Sequence, residues 1–72
     1  LDPLFTLGQQ LVETILVHEP IGAEAARARA MSLLAEVGIP APEARFHQYP
    51  HQLSGGMRQR VVIALALPHP AR

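Results

Sequence analysis

The chain contains no lysine, no cysteine and no tryptophan, and its aromatics are one Tyr and two Phe. Without cysteine there is neither a disulfide framework nor a thiolate metal site. Neither sign of charge is in excess. Six Arg balance six Asp and Glu, for a formal net charge of zero, whereas a free-standing nucleic-acid binder is usually strongly basic. No apolar run approaches the ~18–20 residues of a membrane span, and no signal-peptide pattern opens the chain. A chain of 72 residues is one domain or part of one, and buries only roughly 60 % of its unfolded surface. It begins with Leu1 and ends Pro68-His69-Pro70-Ala71-Arg72 directly after an apolar run, so it reads as a piece of a longer protein.

What is present reads as three to four helices, an all-α class. Leu1 to Phe5 is a loop, with Pro3 biasing Asp2 away from helix. Thr6 and Gln9 fit a capping box. Leu7, Leu11, Ile15 and Leu16, with Val12, then fall at helical spacing, so a first helix runs from about Leu7 to Val17 and stops at Pro20. From Ala23 the chain is rich in helix formers. Ala23, Ala26, Ala30, Leu33, Leu34 and Val37 make one apolar face, and Glu24 and Arg27 are spaced for a solvated ion pair. Gly38 is the expected stop, with Pro40 beyond it. Pro42 to Phe46 reads as one helical turn, and His47 to Gln52 as a loop.

Ser54 is a good N-cap for a last helix, about Gly55 to Leu67, that Pro68 should end. Its second part, Val61 to Leu67, is apolar all round, which calls for burial on every side. A chain this small cannot surround it, so packing partners outside the chain are expected. The β-branched start of that run makes a strand the lesser reading.

Leu53-Ser54-Gly55-Gly56 is the stretch that carries chemistry. A helix N-terminus has unpaired backbone N–H groups and the positive end of the macrodipole. Two glycines there remove the Cβ atoms that would hold a phosphate oxygen away. Glycine costs up to roughly 1 kcal/mol in a helix interior relative to Ala, so a pair of them suggests a bare surface kept for a reason. On these residues alone, a plain loop-to-helix turn is the competing reading.

The longer string, Leu53-Ser54-Gly55-Gly56-Met57-Arg58-Gln59-Arg60-Val61, resembles the signature motif of ATP-binding cassette (ABC) ATPases, commonly LSGGQ followed by QRV. With Tyr49-Pro50-His51-Gln52 before it, it looks like the ATP-binding subunits of oligopeptide and dipeptide importers. Leu1 to Gln10 is similar to the segment those subunits carry after their Q-loop, and Val37-Gly38-Ile39-Pro40 to a turn of their helical subdomain. The resemblance implies the helical subdomain of an α/β P-loop NTPase nucleotide-binding domain. The subdomain would occupy residues 1–53, and the signature motif with its helix 53–67. It further implies that Ser54, Gly55 and Gly56 meet the γ-phosphate of ATP held by a second nucleotide-binding subunit, in trans, with Leu53 anchoring the turn. Met57 stands where the common motif has Gln; a backbone contribution from it does not depend on side-chain identity. The loop Leu1 to Phe5 and the stretch Tyr49 to Gln52, with Tyr49, His51 and Gln52 its interface candidates, are implied to face transmembrane permease subunits, with Arg58 a further interface candidate. The expected location is peripheral, on the cytoplasmic face of the cell membrane.

The departures are equally specific. A chain without Lys has no G-x-x-x-x-G-K-[ST] loop. The single Asp, Asp2, follows no apolar strand, so there is no carboxylate of the Walker B type for Mg²⁺. None of the four His has the context of a switch histidine. ATP and Mg²⁺ are therefore expected of a full-length parent, neither held by these residues alone, and no catalytic residue is assigned here.

Other residues carry less. His47 and His51 are four apart, but Pro50 lies between them, which favours loop histidines over a metal pair. His18 and His69 suit helix C-termini. Arg58 is open between an internal hydrogen bond and a role at the ATP interface, whereas Arg60 reads as structural. The competing function is a small helical interaction or DNA-binding module with the last helix as recognition helix; zero net charge and the apolar second half of that helix weigh against nucleic acid.

Overall fold

The computed structural model describes residues 1–67. Four α-helices form, α1 (Leu7–His18), α2 (Ala23–Glu36), α3 (Pro42–Phe46) and α4 (Gly55–Ala66), with a 3-10 turn at Pro50–Gln52 before α4. There is no strand among the described residues, so Val61 to Ala66 is helical despite its β-branched start. The expectations at Pro68 and His69 lie outside the described residues.

Each helix starts and stops for a local reason. The Thr6 hydroxyl accepts from the Gln9 N–H at 3.2 Å, and Gln9 Oε1 accepts from the Thr6 N–H at 2.8 Å. That reciprocal pair satisfies donors that no helix can satisfy itself. A further orphan, the Leu7 N–H, donates to the Gln48 carbonyl at 2.9 Å and ties α1 to the chain beyond α3. α2 closes with Gly38 at φ 82°. The Ile39 N–H donates to Leu34 O at 2.9 Å and the Gly38 N–H to Ala35 O at 3.0 Å. This is a Schellman closure, with Ile39 and Leu34 both buried beside it. Ala41, at φ 50°, leads into α3 with Pro42 in the first turn; a non-glycine residue held left-handed costs about 1–3 kcal/mol.

The N-terminal loop is held by one side chain. Gln10 Nε2 donates to Asp2 O at 2.8 Å and to Phe5 O at 3.0 Å, and its Oε1 accepts from the Asp2 N–H at 3.1 Å.

A single core joins all the elements. α1 contributes Leu7, Leu11 and Ile15, α2 contributes Ala26, Ala30, Leu33 and Leu34, and Ile39, Phe46, Leu53, Val61 and Ala64 complete it. Phe46 packs directly on Gly8, where a Cβ would run into the ring. Glu19 is buried and pairs with Arg29, Nε to Oε2 3.4 Å, linking the end of α1 to α2.

Three expected contacts are corrected. Leu16 is exposed, because the buried stripe advances Leu7, Leu11, Ile15 and leaves Leu16 about 100° further round the helix. Ala23 is exposed at the first residue of α2, on the rim of a pocket with Gly8, Val12 and Phe46. Arg27 does not pair with Glu24; its guanidinium lies over the Phe46 ring, 4.9 Å from the centroid. An exposed helical ion pair is worth a few tenths of a kcal/mol, and a cation over an aromatic face about 0.5–1.

Val61 and Ala64 are buried, but Val62 and Ile63 are 49 % and 48 % exposed. Half of the apolar end of α4 is thus uncovered among the described residues.

Candidate functional site

The site is the turn into α4. Leu53 is buried and extended, with φ −104° and ψ 155°. Ser54 is the N-cap, and its hydroxyl accepts from the Met57 N–H at 3.2 Å. As an acceptor in the cap it still has its own O–H to donate. Gly55 and Gly56 are the first two helical residues, so no intrahelical carbonyl accepts from their N–H groups. Both are exposed, as is Ser54. Met57 is half-buried and packs against the core, so its N–H and its side chain are both engaged inside the chain.

The five glycines of the chain differ in what holds them. Gly8 is forced by Phe46, and Gly38 by its positive φ; Gly22 has open space around it but stands outside the helix, as the N-cap of α2. Gly55 and Gly56 are forced by neither. A Cβ on Gly55 would come no closer than 3.9 Å to Arg58 Nη2, and one on Gly56 would meet nothing within 4 Å. Neither has a positive φ. Two glycines stand, then, in a helical first turn where the chain's own packing would accept alanine. Exposed, and without intrahelical acceptors, the amides of this first turn fit the close approach of an anion.

The interface candidates cluster beside this turn. His47 to Gln52, expected as a loop, contains the 3-10 turn, stabilised by Tyr49 N–H to Gln52 Oε1 at 2.9 Å and Gln52 N–H to Tyr49 O at 2.9 Å. Such a reciprocal closure needs only Gln three residues after Tyr49, a signal present in the sequence and overlooked. Tyr49 and His51 stack, ring centroids 6.1 Å apart and 15° between planes. Leu1, Pro50, Arg58, Gln59 and Val62 line an open cleft of about 410 Å³. The cleft joins the N-terminal loop, the 3-10 turn and α4. Leu4 and Phe5 are exposed on the same loop as Leu1. The sequence places Leu1 and Pro50 in the interface stretches but gives no such sign for Gln59 and Val62, whose contributions depend on how α4 lies against the preceding turn. Among the described residues no group of three or more His, Cys, Asp or Glu is placed to hold a metal ion. No described helix is long and apolar enough to cross a membrane.

The sequence pattern of the family described as ABC transporter matches residues 2–72. The chain belongs to the ABC transporter family. It is similar to the oligopeptide transport ATP-binding protein OppD of Bacillus subtilis, with 57 % identity over 67 residues, 93 % of this chain and 19 % of the relative. It is also similar to the dipeptide transport ATP-binding protein DppD of the same organism, 55 % identical over 93 % of this chain and 20 % of the relative. The glutathione import ATP-binding protein GsiA of Salmonella choleraesuis is 52 % identical over 93 % of this chain and 11 % of its own length. The chain thus spans about a fifth or less of these relatives. ABC membership makes this all-α unit part of a P-loop NTPase domain.

Proposed function

We propose that this chain is the signature-bearing helical part of an ATP-hydrolysing subunit that powers import of peptides through an ABC transporter. Residues 1–53 form the helical subdomain, and residues 53–67 the signature motif with its helix. Ser54, Gly55 and Gly56 present a hydroxyl and two backbone N–H groups to a phosphate of ATP held by a second nucleotide-binding subunit, in trans. Leu53 anchors the turn from the core side. ATP supplies the phosphoanhydride whose cleavage powers transport. Mg²⁺ belongs with carboxylates outside these residues.

One observation carries the reading: Gly55 and Gly56 fill the first turn of a helix where nothing among the described residues requires glycine. Their amides supply the anion contact without side-chain charge, which agrees with the zero net charge of the chain. The names of the OppD and DppD relatives support peptides as the cargo.

The cleft of Leu1, Pro50, Arg58, Gln59 and Val62, flanked by Tyr49, His51 and Gln52, is the surface for transmembrane permease subunits. The subunit accordingly sits peripherally on the cytoplasmic face of the membrane.

The test is Gly55→Asp in the full-length subunit assembled with its permease. A carboxylate placed against phosphate should lower ATP turnover at least about a hundred-fold, the scale of losing a preorganised donor. Turnover within two-fold of the unaltered protein removes the signature role.

A further inference from the structure

We infer that Arg58 is a positioning residue that sets the orientation of the signature turn. The inference rests on the proposed role of Ser54 to Gly56 and adds a residue outside that contact set.

Arg58 stands in the fourth position of α4, near the positive end of the helix macrodipole, where a cation is not favoured. Its guanidinium folds back out of the helix. Nη1 donates to the Leu53 carbonyl at 3.0 Å and also approaches the Pro50 carbonyl at 3.4 Å. Pro50 O accepts in addition from the Leu53 N–H at 3.1 Å. Leu53 is thereby held at three points: its amide by Pro50, its carbonyl by Arg58, and its side chain by the core.

The consequence falls on Ser54. The Leu53–Ser54 peptide is a rigid plane that ends at the Ser54 Cα, so fixing the Leu53 oxygen fixes where Ser54 begins. The Ser54 hydroxyl and, one peptide further on, the Gly55 N–H are then placed through the extended N-cap torsions of Ser54, φ −66° and ψ 162°. A neutral donor would hold that oxygen about half as strongly as a charged one. Nη2 passes 3.9 Å from where a Gly55 Cβ would be, so the guanidinium lies alongside the turn it braces. Arg60, two residues on, does not share this task, since it donates to Gly38 O.

The experiment uses the full-length subunit in its assembled transporter, with Arg58→Met, Arg58→Lys and Gly55→Asp side by side. Methionine keeps the apolar stem and removes every donor; lysine keeps a charged donor. The expected result for Arg58→Met is a kcat per assembled transporter lowered about ten-fold, with KM for ATP unchanged; counting only folded, permease-bound subunit keeps any loss of stability or of docking out of the rate. Arg58→Lys should recover part of the lost kcat. Wild-type kcat in Arg58→Met while Gly55→Asp is inactive overturns the positioning role alone. Normal turnover in Gly55→Asp overturns the signature reading and this inference with it. A lower thermal midpoint or permease yield in Arg58→Met with a wild-type kcat per assembled transporter assigns Arg58 to folding or docking and also overturns the inference.

Discussion

Arg60 donates through Nη1 to the carbonyl of Gly38, 3.1 Å away and 22 positions earlier in the chain. The bond joins α4 to the Schellman closure of α2 and gives a structural meaning to an arginine beside the signature. Loss of a hydrogen bond to a charged donor costs about 1.5 kcal/mol. Arg60→Met in the full-length subunit should therefore speed amide hydrogen exchange in α4 roughly ten-fold. Unchanged protection in α4 would show that the bond contributes nothing to the helix.

Gly8 gives a purely steric prediction. Gly8→Ala puts a methyl group into the Phe46 ring, which is itself buried. Overpacking of this kind costs about 1–3 kcal/mol. The expected outcome is a lower denaturation midpoint for the helical unit, rescued in part by Phe46→Leu. A midpoint equal to wild type in Gly8→Ala contradicts the packing described.

The entry into α1 rests on Thr6 and Gln9. Thr6→Ala removes the cap acceptor at 3.2 Å and should destabilise by about 1 kcal/mol. Thr6→Ser should retain most of the stability. Equal loss in both variants would place the contribution in the threonine methyl group.

Val62 tests the proposal that the cleft docks the permease. It is 49 % exposed and lines the cleft with Leu1 and Pro50. Val62→Asp should leave the fold intact and weaken association with the permease at least about ten-fold, or about 1.4 kcal/mol. Full recovery of the permease with the Val62→Asp subunit assigns the cleft to something else.

Much of this fold was legible because its signals are local. Thr6 with Gln9, Gly38 after α2, and Ser54 before α4 each act within five residues, and each forms as its spacing predicts. Contacts across the fold were not legible. Nothing in a helical pattern says that Arg27 lies over Phe46, that Arg60 reaches Gly38, or that Gln10 gathers the loop Asp2 to Phe5. Leu16 and Ala23 illustrate the same limit. Both fit an apolar period, but which edge of a stripe is covered depends on the neighbouring helix. For the candidate site, the string Leu53 to Val61 pointed to the signature, and the structure adds that Gly55 and Gly56 have no internal cause.

The most direct test of that last point is Gly56→Ala in the full-length subunit, with stability and ATP turnover measured on the same preparation. The added methyl group meets nothing within 4 Å among the described residues, and alanine is the better helix former by up to about 1 kcal/mol. The prediction is a thermal midpoint equal to or above wild type together with turnover reduced at least about ten-fold, because the Cβ holds the phosphate away from the amides. Wild-type turnover in Gly56→Ala would contradict the claim that these glycines are kept bare for a ligand outside the chain.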